Sequence, residues 1–496
     1  MNRPKYPSLY QINTRVWLNE LSQNLGRPAT FDDISDIELD RLAKMGFDWI
    51  WLLSVWTTGD LGRKVSLENP TWQHEFKETL PNLSADDIGG SGFAIADYHV
   101  HPGLGGDVAL KRLRTRLIKR GLKLMLDFVP NHMGPDHRWV SEHPTYFRSG
   151  TEDDLEREPQ NYVRMHQKQG EKIFAYGRDP YFSGWPDTVQ LDYSNPETAE
   201  AMKQELLRIS NQCDGVRCDM AMLILPDIFE RTWGRQAQPF WPHVIDEVRK
   251  QFPDFCFMAE VYWDMEWTLQ QQGFDYAYDK RLYDRLRDGH TRLVREHFFA
   301  DLSYQDKLVR FLENHDESRA ADAFGLSMCQ CAALITFLSP GLRFFHQGQF
   351  EGRMKRISPH LIRAPHEPLN TDLQDFYHEL LDIIKQPLFR DGQWRMLECV
   401  PAWDENGSWD SFVAFAWESS GRRAIVTVNY APHSSQCFVR LPFSDLSNQP
   451  VEFRDLLSVA LFFRNGNELL SRGIYLDIPP WGYHVFEISA SAPPLY

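Results

Sequence analysis

The chain has 496 residues, 42% hydrophobic and 25% charged, with 30 Gly and 30 Pro, a balance that excludes a disordered chain and fits a folded protein of two or three domains. Its 53 Lys and Arg against 69 Asp and Glu leave a net charge of -16, which argues against a nucleic-acid backbone or an anionic membrane as partner and favours a neutral small molecule. The 7 Cys read as free core thiols without zinc spacing, no apolar leader follows Met1, and no apolar run is long enough for a bilayer, so a cytoplasmic location is expected.

Short β-rich runs alternate with amphipathic stretches from the N-terminus onward, the pattern of repeated βα units on a parallel sheet. The first three runs are 10–18, 49–55 and 122–129. Ahead of the third, 108–120 predicts a helix, because Leu110, Leu113 and Leu117 recur at helical spacing while Lys and Arg fill the other face. The beat then breaks over 132–190, a stretch rich in Pro, Tyr, Trp and charge. That length reads as a small inserted domain after the third strand. Five more runs follow, at 215–220, 255–262, 274–279, 308–316 and 343–349. Eight strands with intervening helices imply an α/β fold of the (β/α)8 TIM barrel type. Beyond about residue 391, short runs between turn residues predict a C-terminal antiparallel β-sandwich. The expected division is 1–131 and 191–390 for the barrel, 132–190 for the insert and 391–496 for the sandwich.

A barrel of this kind carries its active site at the C-terminal strand ends. The third run delivers Asp127, the fourth Asp219, the fifth Glu260 and the seventh Asp316. One such acid commonly caps a helix or pairs with an Arg. Four acids at one mouth exceed what stability requires. Crowding raises one carboxyl pKa, which places a proton donor beside an ionised nucleophile. Two carboxyls about 5 to 5.5 Å apart suit double-displacement glycoside hydrolysis. Arg217, two residues before Asp219, shares its strand face and can hold that carboxylate ionised, pair with Asp127 in the barrel core, or do both.

In this order, Asp127-Phe-Val-Pro-Asn131-His132, Gly215-Val-Arg217-Cys-Asp219, Glu260 and Asn314-His315-Asp316 resemble the four sequence regions of the α-amylase superfamily, family 13 of the glycoside hydrolases. The resemblance spans nearly the whole chain. It implies Asp219 as nucleophile, Glu260 as general acid/base and Asp316 as the acid that grips sugar hydroxyls and favours a distorted ring. It further implies that Asp127, Arg217, His132 and His315 line the same sugar subsite. The segment around Phe93 is similar to an aromatic-bearing loop after strand two, where Phe93 is either a stacking platform or a core aromatic.

Two departures accompany the match. Met222 and Leu223 stand where many starch-cleaving members carry Lys-His, which serves a leaving-sugar subsite and calcium binding. An apolar pair there points away from long starch chains. Asn131, a calcium ligand in many relatives, lacks that companion and reads as a capping or turn residue, so no metal or other cofactor is expected. The last barrel strand and its loop are unusually basic, with Arg343, Arg353, Lys355 and Arg356. These either bind a phosphorylated or carboxylated substrate or serve as ordinary surface charges. Residues 181–187, with Tyr181, Phe182 and Trp185, can supply an aromatic wall.

The expected activity is retaining hydrolysis of α-glucosidic bonds in short oligosaccharides or small glucosides. Transglycosylation, isomerisation or phosphorolysis from the same covalent intermediate is one alternative. A non-catalytic carbohydrate-binding relative is another. The partner expected is a small carbohydrate, and no pattern in the sequence encodes an oligomeric state.

Overall fold

A computed structural model describes residues 4–167 and 170–490. Eight parallel strands close into a barrel: β1 Ser8–Asn13, β2 Trp49–Leu53, β3 Lys123–Phe128, β4 Gly215–Cys218, β5 Cys256–Ala259, β6 Tyr276–Tyr278, β7 Leu308–Arg310 and β8 Leu342–His346. Every residue of β1, β2, β4, β5 and β8 is buried, as expected of strands with side chains in the barrel on one face and helices on the other. The predicted helix forms at Gly106–Ile118 and buries Ala109, Leu110, Leu113 and Leu117.

Each predicted run supplies one barrel strand, but the first is displaced. Residues 14–18 begin the helix Thr14–Leu25 instead of extending β1. Asn13 decides this boundary, because its side chain caps the helix by accepting from the Val16 N–H at 3.3 Å.

Two excursions leave the barrel on the mouth side. After β2 the chain forms the helices Asp60–Glu68 and Pro70–Thr79 and an antiparallel ribbon of Trp56–Thr58 with Ile95–Val100. A small core of Phe76, Leu80, Ile88 and Leu361 joins this excursion to the segment after β8. After β3, His132–Met133 pairs with the returning Val189–Gln190, and between them lies the hairpin Tyr162–Gln167 with Gly170–Ala175.

The C-terminal region is an antiparallel sheet domain. Its six-stranded sheet runs in the order Gln393–Met396, Phe412–Ser419, Arg422–Asn429, Tyr483–Ala490, Pro450–Asp455, Leu461–Asn465, beside a three-stranded sheet of Cys399–Val400, Ser435–Val439 and Ile474–Ile478. Among the described residues, no helix is long and apolar enough to cross a membrane.

Candidate active site

The ends of β3, β4, β5 and β7 bring the four acids together around one guanidinium. Arg217, fully buried on β4, places Nη1 2.6 Å from Asp219 Oδ1 and Nη2 2.7 Å from Glu260 Oε2. Its guanidinium carbon lies 5.3 Å from the Phe93 ring centre, 5.4 Å from Trp51 and 5.8 Å from Tyr278. The charge is therefore screened from water by aromatic faces and met by two carboxyl groups. Asp127 does not form the direct ion pair with Arg217 that the strand pattern allowed. Its oxygens accept instead from Trp51 Nε1 and the Ser54 N–H, both at 3.0 Å, because β2 and the turn after it offer two donors closer than the guanidinium.

Glu260 is held on both oxygens. Oε2 accepts from the Met220 N–H at 2.7 Å, and Oε1 accepts from the Tyr262 hydroxyl at 3.0 Å. Asp316 is the open member of the group, with its side chain 41% exposed. It is presented by a turn in which Asn314 Oδ1 accepts the N–H groups of Asp316 and Glu317. His315 lies buried behind it, with Nε2 3.0 Å from Asp316 Oδ2 and Nδ1 2.9 Å from Gln11 Nε2. Phe93 stacks on His315 at 5.3 Å. His132, also buried, reaches the Phe93 main chain and faces Trp185 at 5.2 Å. All eight predicted site residues thus gather at one end of the barrel.

Backbone strain marks the same place. Of eight non-glycine residues with positive φ among the described residues, four follow barrel strands at the mouth: Ser54 at 63°, Met220 at 41°, and Trp263 and Asp264 at 61° each. Each costs on the order of 1 kcal/mol and persists only where its surroundings fix it. At Ser54 and Met220 the reason is visible, since the turned N–H groups are the ones that reach Asp127 and Glu260. Gly92 serves a related need. A Cβ there would collide with Ser54 Oγ, so only glycine lets the segment carrying Phe93 come this close.

Burial sets the electrostatics. It drives Glu260 well above the usual carboxylate range, Asp219 and Asp316 add like charge, and Arg217 pulls the other way. Burial likewise raises Asp127 to about 6 and lowers His315 to about 4. His132 is lowered for the same reason.

Several contributors were not singled out from the sequence. Gln11 and Trp51 are polar-tipped residues inside apolar strands, which is a usable signal for a group facing the barrel axis. Tyr262 lies two residues past Glu260, beyond the end of β5, where its hydroxyl reaches Glu260 Oε1. Other expectations need correcting. Met222 and Leu223 are buried in the core, so they present no apolar surface to a leaving group. Arg343 is fully buried and donates to the main-chain oxygens of Tyr6, Phe337 and Phe389. Arg356 pairs with Glu75. Arg353 and Lys355 line a cavity of about 160 Å³ shared with Glu20, Glu351 and Glu367, which makes that lining mixed in charge. Tyr181 and Phe182 are exposed at 58% and 71%, and Tyr181 meets Trp263 edge-on at 5.0 Å.

Comparison with known proteins places the chain in a family and a fold. The family described as alpha amylase, catalytic domain, matches residues 31–375. Alpha-amylase MalA of Haloarcula japonica is 23% identical over 431 residues, covering 85% of this chain and 55% of the relative. An alpha-1,4-glucan:maltose-1-phosphate maltosyltransferase of Burkholderia pseudomallei is 28% identical over 286 residues, covering 55% of this chain and 21% of that protein. The chain spans about half the length, or less, of these relatives. Among solved structures, the maltogenic alpha-amylase AmyB of Thermotoga neapolitana superposes with a TM-score of 0.69 at 19% identity, covering 97% of this chain and 98% of that one. With the family matched across most of the chain and its four acids gathered on one barrel mouth, this protein belongs to the α-amylase catalytic-domain family.

Proposed function

We propose that the chain is a retaining enzyme that hydrolyses α-glucosidic bonds of short oligosaccharides or small glucosides by double displacement. The observation that carries this reading is the contact of Arg217 with Asp219 and Glu260 at once. Two carboxylates sharing the terminal nitrogens of one guanidinium are held close together. That suits the retaining separation of about 5 to 5.5 Å better than the inverting one of about 6.5 to 9.5 Å.

The roles follow from the environments. Asp219, held by Arg217, attacks the anomeric carbon while Glu260 gives its proton to the glycosidic oxygen, and the bond to the leaving group breaks. Glu260 suits the donor role because burial favours its protonated form. With Oε2 occupied by Arg217 and the Met220 N–H, the proton rides on Oε1 beside Tyr262. Glu260 then takes a proton from water, whose oxygen displaces Asp219 and releases the sugar with its configuration retained. Asp316, exposed and next to His315, grips the ring hydroxyls, and Phe93, His132 and Asp127 shape the same subsite.

A second reading is transfer, in which a sugar hydroxyl replaces the water. Two observations favour it: the exposed Tyr181, Phe182 and Trp263 rims, which offer stacking faces for an acceptor, and the maltosyltransferases among the relatives. A cytoplasmic location is supported by seven cysteines that are all buried and free. Incubation with maltotriose and with an aryl α-glucoside, followed by proton NMR from the first turnover, tests both readings. The α-anomer of free sugar appearing first supports retaining hydrolysis, and new glycosides support transfer. The β-anomer appearing first would falsify the retaining assignment.

A further inference from the structure

The inserted segment leaves and rejoins the barrel at a single joint, and a side-chain amide closes it. Gln190 Nε2 donates to the main-chain oxygen of Asn131 at 2.9 Å, to Asn131 Oδ1 at 3.0 Å and to the main-chain oxygen of Leu191 at 3.0 Å. Its Oε1 accepts from the Arg178 N–H at 3.4 Å. Gln190 and Asn131 are both fully buried. The surroundings fix the orientation of the Gln190 amide, since three converging oxygens can be met only by its NH₂ end.

Three neutral oxygens aimed at one buried point are the beginning of a shell for a hard cation. Calcium takes six to eight oxygens at about 2.3 to 2.6 Å and is usually held by carboxylates among them. Here the point of convergence holds a nitrogen at hydrogen-bond distance. Among the described residues, no group of three or more His, Cys, Asp and Glu is placed to hold a metal. The residues present at this joint do not fit calcium.

We propose that the Gln190 amide stands where a structural cation would otherwise be needed, and that it makes the joint between barrel and insert independent of metal. Its two N–H groups supply the positive potential that draws the three oxygens together. A carboxylate at the same position would reverse that field and face three oxygens with nothing between them unless a cation entered.

The test is thermal melting of the full chain in EDTA and in calcium chloride, for the wild type, Gln190→Met and Gln190→Glu. The wild type is expected to melt at one temperature in both media. Gln190→Met keeps the length but loses the donors, and is expected to melt lower by roughly 3 to 5 °C whether or not calcium is present. Gln190→Glu is expected to melt low in EDTA and recover when calcium is added. The proposal is overturned by a wild type that loses stability on chelation and regains it with calcium, by Gln190→Met melting with the wild type, or by Gln190→Glu ignoring calcium. Should Gln190→Glu fail to fold, the wild type and Gln190→Met decide the matter alone.

Discussion

At the scale of single residues, Glu260 combines burial at 3% exposure, an ion pair and two hydrogen bonds, and those features oppose each other. Burial wins, so the folded pKa lies above the unfolded one. The folded state then binds this proton more tightly. The resulting stability is fully present below the unfolded pKa, near ~4.3, and is lost as pH rises through the folded one. Glu260→Gln cannot ionise, so it is expected to abolish turnover and yet exceed the wild type in stability by on the order of 1 to 2 kcal/mol at pH 8. That margin closes at pH 4, and urea melts at the two pH values check it. The same raised pKa predicts that the alkaline limb of kcat/KM falls at higher pH than an ordinary carboxylate would give. Tyr262→Phe removes the hydroxyl at Oε1 and is expected to move that limb while lowering kcat roughly tenfold, with KM little changed. A pH–rate profile of the variant that overlays the wild type would remove Tyr262 from the proton's path. The acids were legible in the sequence because each follows an apolar run. Tyr262 was not, because it lies beyond the end of β5 and its contribution depends on the carboxyl oxygen it meets there.

At the scale of elements, the eight strands were legible because two-sided burial writes them as continuous apolar runs. The excursion after β2 was not, since its helices bury only a small core against the segment after β8. Their pairing depends on a contact almost three hundred residues away. The basic stretch after β8 shows the same limit, because Arg356 pairs with Glu75, far earlier in the chain, while Arg353 donates to the main-chain oxygen of Glu367. Arg353→Ala is accordingly expected to weaken cleavage of charged and neutral glucosides by the same factor. A selective loss on the charged substrate in parallel kcat/KM measurements would contradict this. The end of β6 gives a sharper case. Asp279 is buried, caps the helix Lys280–Arg287 by accepting from the Leu282 N–H at 3.1 Å, and pairs with Arg310 of β7 and with His297. Its contacts with His297 and Arg310 hold its carboxyl at about 2 against the opposing effect of burial. Its contribution is present above the unfolded value near ~3.9 and is lost as pH falls toward 2. Asp279→Ala leaves Arg310 buried without its carboxylate and is expected to cost about 3 to 5 kcal/mol. Denaturant midpoints should show this at pH 7, and the gap from wild type should narrow at low pH.

At the scale of the molecule, the question is whether the barrel and the C-terminal sheet domain unfold together. The sheet domain has a core of its own around Phe412, Ile425, Val451 and Phe486. Its other face, however, belongs to the barrel's core, where Val413, Phe415, Trp417, Val426 and Val485 join the main cluster. Polar bonds cross the same seam. Trp417 Nε1 donates to Leu338 O at 2.7 Å, Tyr430 OH donates to Leu286 O at 2.8 Å, and Arg295 reaches the main-chain oxygens of Asp410 and Phe412. A joint that is both apolar and hydrogen-bonded couples the two parts more strongly than the polar interfaces that let domains move independently. Calorimetry of the intact chain is therefore expected to give one transition. Trp417→Ala removes a fully buried ring at the seam, where truncation of a large aromatic costs about 3 to 5 kcal/mol. If the coupling is as tight as the shared core implies, that variant shifts the whole transition down without dividing it. An early transition carrying only the sheet domain's enthalpy would show instead that the seam is weaker than either core. In the coupled case, the stability of the barrel mouth depends on residues of the sheet domain at the seam, such as Trp417.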